Sequence, residues 1–113
     1  MDCGIPLDYA DYQFIDSFDG YKIGFKGRVD SMESFIDIVV DKLKKYIPEA
    51  KAMAFNIQYA PSNLAYSLTI DIIKEIDKYI VNNNNVRFGA QENQELSGSE
   101  LELDILMVGL ETI

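Results

Sequence analysis

The sequence predicts a two-layer α+β domain, in which a four-stranded mixed sheet carries two helices on one face. Four stretches alternate apolar residues with small or polar ones at a period of two, which is typical of strands. Two longer stretches repeat apolar residues at intervals of three and four, which is typical of amphipathic helices. These segments follow one another as strand, helix, strand, helix, strand and strand. A chain of 113 residues suffices for a single domain with one core.

The first strand and the first helix are predicted over residues 20–47. Up to Lys26, apolar side chains at every second position alternate with lysines and a glycine, so one face of the strand is buried. Asp30 or Ser31 is a suitable N-cap for the helix that follows, and Pro48 marks its end. The apolar stripe of this helix comprises Met32, Phe35, Ile36, Val39, Leu43, Tyr46 and Ile47.

The second strand and the second helix come next. The strand, residues 52–57, has no charge on either face, so we expect it at the centre of the sheet and covered on at least one side. A loop with a proline, residues 58–63, leads to a helix predicted at residues 67–81. Four consecutive asparagines, residues 82–85, are predicted to end this helix and turn the chain.

The last two strands are predicted at residues 86–90 and 101–107. The polar loop between them suggests that they form an antiparallel hairpin. Glu100, Glu102 and Asp104 alternate with leucine and isoleucine along the last strand. We therefore expect a solvated face at that point rather than a metal site, because the spacing fits no calcium loop.

The face that carries Leu106, Val108 and Leu110 leaves two alternatives open. It is either an exposed apolar patch that binds a partner or a surface that the N-terminal segment covers. The sequence pattern favours neither alternative.

The composition excludes several classes of function. Ten basic residues stand against 19 acidic ones, and the net charge of −9 disfavours binding to nucleic acid or to an anionic membrane. Without histidine, the chain lacks Ser-His-Asp and Cys-His catalysis and most zinc sites. Its one cysteine, Cys3, cannot form an intrachain disulfide, which suits the cytoplasm. We expect neither a signal peptide nor a membrane span, which needs about 20 apolar residues.

Two stretches of the chain carry a family pattern. In VRFGAQENQELSGSELELDILMVGLE, an apolar strand ends in Phe-Gly-Ala, an acidic loop contains a leucine, and a second strand ends in a glycine. In AKAMAFNIQYAPSNL, a strand ends in Asn-Ile before a loop, although Tyr59 and Ala60 stand where the family has two glycines. The matching residues are Phe88, Gly89, Ala90, Leu96, Gly109, Asn56 and Ile57. Together these stretches resemble the C-terminal domain of the FtsZ/tubulin family.

The N-terminal stretch LDYADYQFI resembles the synergy loop, which leads into that domain in FtsZ proteins. Residues 8–11, Asp-Tyr-Ala-Asp, fit the last four positions of the family motif, and Pro6 stands where the family has an asparagine. By this resemblance, residues 1–19 are a synergy-loop-like lead-in and residues 20–113 are the FtsZ C-terminal-like domain.

The resemblance implies a role in a cell-division filament. In FtsZ proteins, GTP lies on a separate N-terminal domain, and the synergy loop of one subunit reaches the nucleotide of the next. Two carboxylates of the loop help to position or polarise the attacking water. Asp8 and Asp11 correspond to those carboxylates and would act in trans, although Pro6 lacks both the backbone donor and the side-chain amide of asparagine. By themselves, two aspartates three positions apart most often form a solvated turn or a helix cap.

Two functions therefore remain open. The first is an interaction module that docks against the GTP-bearing face of an FtsZ-type subunit, or on another division protein, and contributes carboxylates or caps the filament. The sequence has no glycine-rich phosphate loop, so we expect no cofactor and no enzyme activity of the chain alone, and GTP would be bound by a partner. The second is a small α/β ligand-binding or chorismate-mutase-like enzyme domain, which a pocket lined by Arg28 or Arg87 would favour.

Overall fold

The computed structural model describes residues 9–80 and 85–111, with side chains from Asp11 onward. In chain order, the elements are α1 (Tyr9–Asp16), β1 (Tyr21–Val29), α2 (Met32–Phe35), a π-helical segment (Ile36–Val40), α3 (Asp41–Leu43), β2 (Ala52–Tyr59), α4 (Asn63–Asp77), β3 (Asn85–Glu92) and β4 (Leu101–Leu110). Within these two ranges, no helix is both long and apolar enough to cross a bilayer. From β1 onward, the order of strands and helices is the predicted one.

The sheet is four-stranded and mixed, as predicted, with the strand order β1-β4-β2-β3. β4 pairs antiparallel with both β1 and β2, whereas β2 pairs in parallel with β3. β2 lies inside the sheet, which agrees with the absence of charge on either of its faces.

The antiparallel hairpin predicted for the last two strands is wrong, because β2 lies between β3 and β4. The loop between them crosses the end of β2, where the N–H of Asn93 donates to the carbonyl of Tyr59 (2.9 Å) and the N–H of Ala60 donates to the carbonyl of Glu100 (3.0 Å). Burial decides the arrangement. β4 ends in a continuous apolar run and takes an inner position, whereas β3, with the exposed Arg87, lies at the edge.

The first predicted helix consists of α2, the π-helical segment and α3, followed by turns up to Glu49. Ser31 is its N-cap, and the Ser31 hydroxyl accepts a hydrogen bond from the N–H of Ser34 at 3.1 Å. A π-helical turn contains more residues than an α-helical turn. The wider turn brings two adjacent residues, Val39 and Val40, into buried positions.

The second predicted helix, α4, begins earlier than predicted, at Asn63. Ser62 is its N-cap, with the hydroxyl accepting from the N–H of Ala65 at 3.1 Å. The apolar stripe starts a full turn further along, which is why the periodicity misplaced the start. The helix ends at Asp77, and the asparagines at 82–84 that were predicted to end it lie outside the described residues.

The main core lies between the sheet and the helical layer formed by α2, the π-helical segment, α3 and α4. Each large apolar side chain that is fully buried contributes about 1.5–3 kcal/mol. The buried residues of this main core include Phe35, Val39, Leu43, Phe55, Ile57, Leu68, Ile72, Ile76, Leu101, Leu103, Ile105 and Met107. The two predicted helices therefore pack on one face of the sheet, as expected.

Helix α1 packs on the opposite face, which the sequence pattern did not predict. Its Ile15 is fully buried in a second cluster with Ala52, Ala54 and Val108, and Leu106 is partly buried against it. The sequence leaves two alternatives open for Leu106 and Val108, an exposed patch that binds a partner or a surface covered by the N-terminal segment. The structure shows that the N-terminal segment covers them. The lead-in predicted for this part of the chain contains a packed helix.

The end of β4 depends on Gly109, whose φ of 75° lies in the left-handed region. Near this residue the register between β1 and β4 shifts. The irregularity changes the alternation of side chains, so Val108 belongs to the second cluster while Leu110 belongs to the main core. Leu110 is therefore not part of the apolar face predicted together with Leu106.

Candidate functional site

Of the two carboxylates predicted to act in trans, Asp8 and Asp11, the structure describes only Asp11. Asp8 lies outside the described residues. Asp11 occupies the first turn of α1, where the helix dipole stabilises a negative charge. Its side chain is 31% exposed, so the carboxylate lies at the surface rather than in the core.

Asp11 forms an ion pair with Arg87 of β3. The Nε of Arg87 lies 3.6 Å from the Oδ1 of Asp11, and the guanidinium carbon lies 4.5 Å from the ring centroid of Phe14. One arginine therefore contacts two helix residues that are three positions apart and share a face. At the other end of α1, Asp16 forms an ion pair with Lys22 of β1.

Tyr12 lies close to the carboxylates of Asp11 and Asp104. Burial raises the pKa of Tyr12 above the ordinary tyrosine value, and the negative charges of Asp104 and Asp11 raise it further. The phenol is therefore neutral throughout the physiological pH range, and it covers apolar surface next to Asp11 without adding charge.

The face of the sheet on which α1 packs is polar beyond the helix. The Nζ of Lys26 lies 3.8 Å from Asp104, and a guanidinium nitrogen of Arg28 lies 3.3 Å from Glu102. The two carboxylate side chains are 44% and 40% exposed, so this part of β4 is solvated, as predicted. Between the two pairs and β3 lies Asn56, whose Oδ1 is buried and has no hydrogen-bond partner among the described residues.

Glu100, the third predicted carboxylate of this strand, stabilises a loop. It accepts hydrogen bonds from the backbone N–H of Ser97 (2.9 Å) and from the Ser97 hydroxyl (3.1 Å). The backbone hydrogen bond, followed by the hydroxyl bond and the charge of Arg28, lowers the pKa of Glu100. Over residues 11–80 and 85–111, no three potential ligand side chains are grouped so that they could hold a metal ion.

Four of the residues that carry the family resemblance serve the fold. Ile57, Ala90 and Leu96 are buried in the main core, and Phe88 packs against Phe55 with ring centroids 5.8 Å apart. Packing in the core therefore explains these four positions.

The contact between Arg87 and α1 is not among the sequence predictions, which give Arg87 only as a possible anion ligand in a pocket. Two signals were present. Arg87 alternates with the core residues of β3, which places it on the second face. Phe14 and Phe18 are four positions apart and pack edge to face at 5.5 Å, a spacing that indicates a short helix.

Neither the protein-family models nor the curated proteins yield a match to this sequence. Solved structures do match its fold. An FtsZ dimer from M. jannaschii, in its empty form, has a TM-score of 0.68 at 15% sequence identity, over 94% of this chain and 32% of that chain. A point mutant of FtsZ from the same organism has a TM-score of 0.69 at 16% identity, over 96% of this chain and 34% of that chain.

The chain spans about a third of the length of those FtsZ chains, and the match falls on their C-terminal part. At this level of identity, the property that the proteins share is the arrangement of the sheet and its helices. The chain has the fold of the C-terminal part of FtsZ, as the resemblance in its sequence predicted.

Proposed function

We propose that this chain is an interaction domain of a cell-division filament, and that it docks the exposed face of α1 against the GTP-bearing face of an FtsZ-type subunit. The observation that carries the proposal is the fold, because 94–96% of the chain aligns with the C-terminal part of FtsZ chains. One of those structures is an FtsZ dimer, so that protein associates with a second copy. For this chain, the corresponding partner is an FtsZ-type subunit, or another division protein, in the cytoplasm.

The position of Asp11 supports this docking mode. Its carboxylate lies at the surface in the first turn of α1, three residues after Asp8. Phosphoryl transfer depends mainly on positioning and electrostatics. A carboxylate held by a packed helix and by Arg87 is therefore suited to orient a water molecule beside a nucleotide on a neighbouring subunit.

Docking by this face would act in one of two ways. If Asp8 and Asp11 reach the nucleotide of the partner, they would promote its hydrolysis in trans. If they do not, a docked chain would occupy the end of the filament. The 113 residues have no glycine-rich phosphate loop, so an isolated chain would offer the next subunit no bound GTP and would cap that end.

The proposal is tested by mixing the chain with full-length FtsZ and GTP, and by measuring phosphate release and sedimented polymer. Hydrolysis in trans predicts phosphate release that rises with the concentration of the chain and falls by at least about tenfold in D11N. Capping predicts less polymer at a small molar ratio of chain to FtsZ. D71N is the matched control, because Asp71 is exposed on the outer side of α4, away from the proposed docking surface. No change in either quantity at a large excess of the chain would contradict the proposal.

The alternative, a ligand-binding or chorismate-mutase-like enzyme domain, requires a basic pocket. The clefts beside Arg28 are small, about 180 Å³ and 250 Å³, and they are also lined by Asp30, Glu100 and Glu102. Arg87 is engaged with α1. Among the described residues, these surroundings give the alternative no specific support.

A further inference from the structure

We infer that Arg87 is a positioning residue, which fixes α1 on the sheet and thereby sets the orientation that Asp11 presents to a docking partner. The identity of that partner rests on the proposed function. The fixing of α1 rests only on contacts within the chain.

The apolar anchor of α1 is small. Among the α1 side chains that the structure describes, from Asp11 to Asp16, Ile15 is the one buried in the second cluster, and two of the three sheet residues in that cluster are alanines. Tyr12, Phe14 and Phe18 are only partly buried. A helix of eight residues is not stable by itself in water, so the position of α1 depends on whatever contacts hold it to the sheet.

Arg87 supplies such a contact at the N-terminal end of the helix, through the carboxylate of Asp11 in the first turn. It lies on the edge strand β3 and points to the second face, while its neighbours Val86 and Phe88 pack against the main core. Its side chain is 45% exposed, and that of Asp11 is 31% exposed, so the pair is partly shielded from water. The ion pair and the contact with the Phe14 ring act together on one face of α1.

These two contacts need an arginine. Its planar guanidinium stacks on an aromatic ring while the Nε faces a carboxylate, and a lysine ammonium offers only a point charge. Arg28 is a matched control on the same face of the sheet. It lies on the opposite edge strand and pairs with Glu102 of β4 at 3.3 Å.

The first arm of the test uses the chain alone and measures amide hydrogen exchange in α1. A partly exposed ion pair and a cation–π contact together correspond to about a fivefold change in an equilibrium. R87Q should therefore speed the exchange of the hydrogen-bonded α1 amides about fivefold, R87K should give an intermediate rate, and R28Q should leave them unchanged. Equal exchange in R87Q and R28Q would overturn the inference.

The second arm adds full-length FtsZ with GTP and measures the chain concentration that gives half of the maximal effect on phosphate release. R87Q should raise this concentration by up to about fivefold, a limit reached when α1 of R87Q is mostly undocked. R87K should restore part of the loss, whereas R28Q should leave the concentration unchanged. If the wild-type chain acts on FtsZ and R87Q acts equally or more strongly, Arg87 does not position Asp11, and the proposed function still stands. If the wild-type chain has no effect on FtsZ, the proposed function fails, and the exchange of α1 alone decides the role of Arg87.

Discussion

Replacing Gly109 by alanine should destabilise the domain far more than the same change at Gly98 or Gly24. The φ of Gly109 is 75°, a backbone conformation that residues with a side chain rarely adopt. An added Cβ would also lie 2.5 Å from the Cβ of Lys51. Lys51 cannot easily withdraw, because its N–H donates to the carbonyl of Val108 at 2.9 Å and so holds the two segments together. The chain entering β2 and the end of β4 would have to move apart.

The magnitude follows from two separable costs. The left-handed backbone costs alanine about 1–2 kcal/mol, and forcing extra volume into a packed site costs about 1–3 kcal/mol. Gly98 isolates the first cost, because its φ is 62° but an added Cβ would meet nothing within 4 Å. Gly24 carries neither cost, so alanine there should be neutral or should stabilise the strand by about 0.5 kcal/mol.

Urea denaturation followed by circular dichroism measures these differences. The free energy of unfolding should fall by about 3 kcal/mol in G109A and by about 1 kcal/mol in G98A, and it should not fall in G24A. With a denaturant slope of about 1–3 kcal/mol per molar urea, G109A should lower the midpoint by at least about 1 M. If G109A is no less stable than G98A, the close approach of Gly109 to Lys51 does not constrain the fold as argued.

Two further changes test the docking of α1 and the groups beneath it. I15A should cost about 2 kcal/mol, at the low end of the range for such truncations, because the second cluster is small. The loss should appear first as faster amide exchange in α1, whereas F55A in the main core should lower the global stability. If I15A instead speeds amide exchange evenly throughout the domain, the second cluster is not a separate unit. Because the pKa of Tyr12 is raised in the folded protein, its contribution to stability is complete below the ordinary tyrosine pKa and is lost as the pH rises through the folded value. Unfolding measured between about pH 8 and pH 11 should therefore depend less on pH in Y12F than in the wild type, and identical profiles would contradict this.

Much of the main layer could be predicted from the sequence, because one-sided burial leaves a periodic pattern. Ile23 and Phe25 of β1, and Leu101 and Leu103 of β4, alternate with polar neighbours and face the helices. The same pattern does not say which strands pair. A loop of this length fits a hairpin as well as a passage over one intervening strand, and the position of β4 depends on the burial of both its faces in the folded sheet.

The second face was harder to predict, because its determinants are short or distant in the sequence. Helix α1 has only eight residues, which is too short for a clear apolar period. The contact between Asp11 and Arg87 joins the N-terminal helix to the edge strand β3, and no local pattern relates the two positions. The resemblance pointed to Asp11 as a functional carboxylate, but the arginine that contacts it became visible only in the fold.

The most direct test of the account is an NMR experiment with isotopically labelled chain and unlabelled full-length FtsZ, in the presence of GTP. Docking by the proposed face predicts that signals of residues 9–16 and of Arg87 shift or broaden first, while those on the outer side of α4, such as Leu64 and Asp71, stay unchanged. Changes centred on the outer side of α4, or no change with saturating FtsZ, would contradict the claim that α1 forms the docking surface.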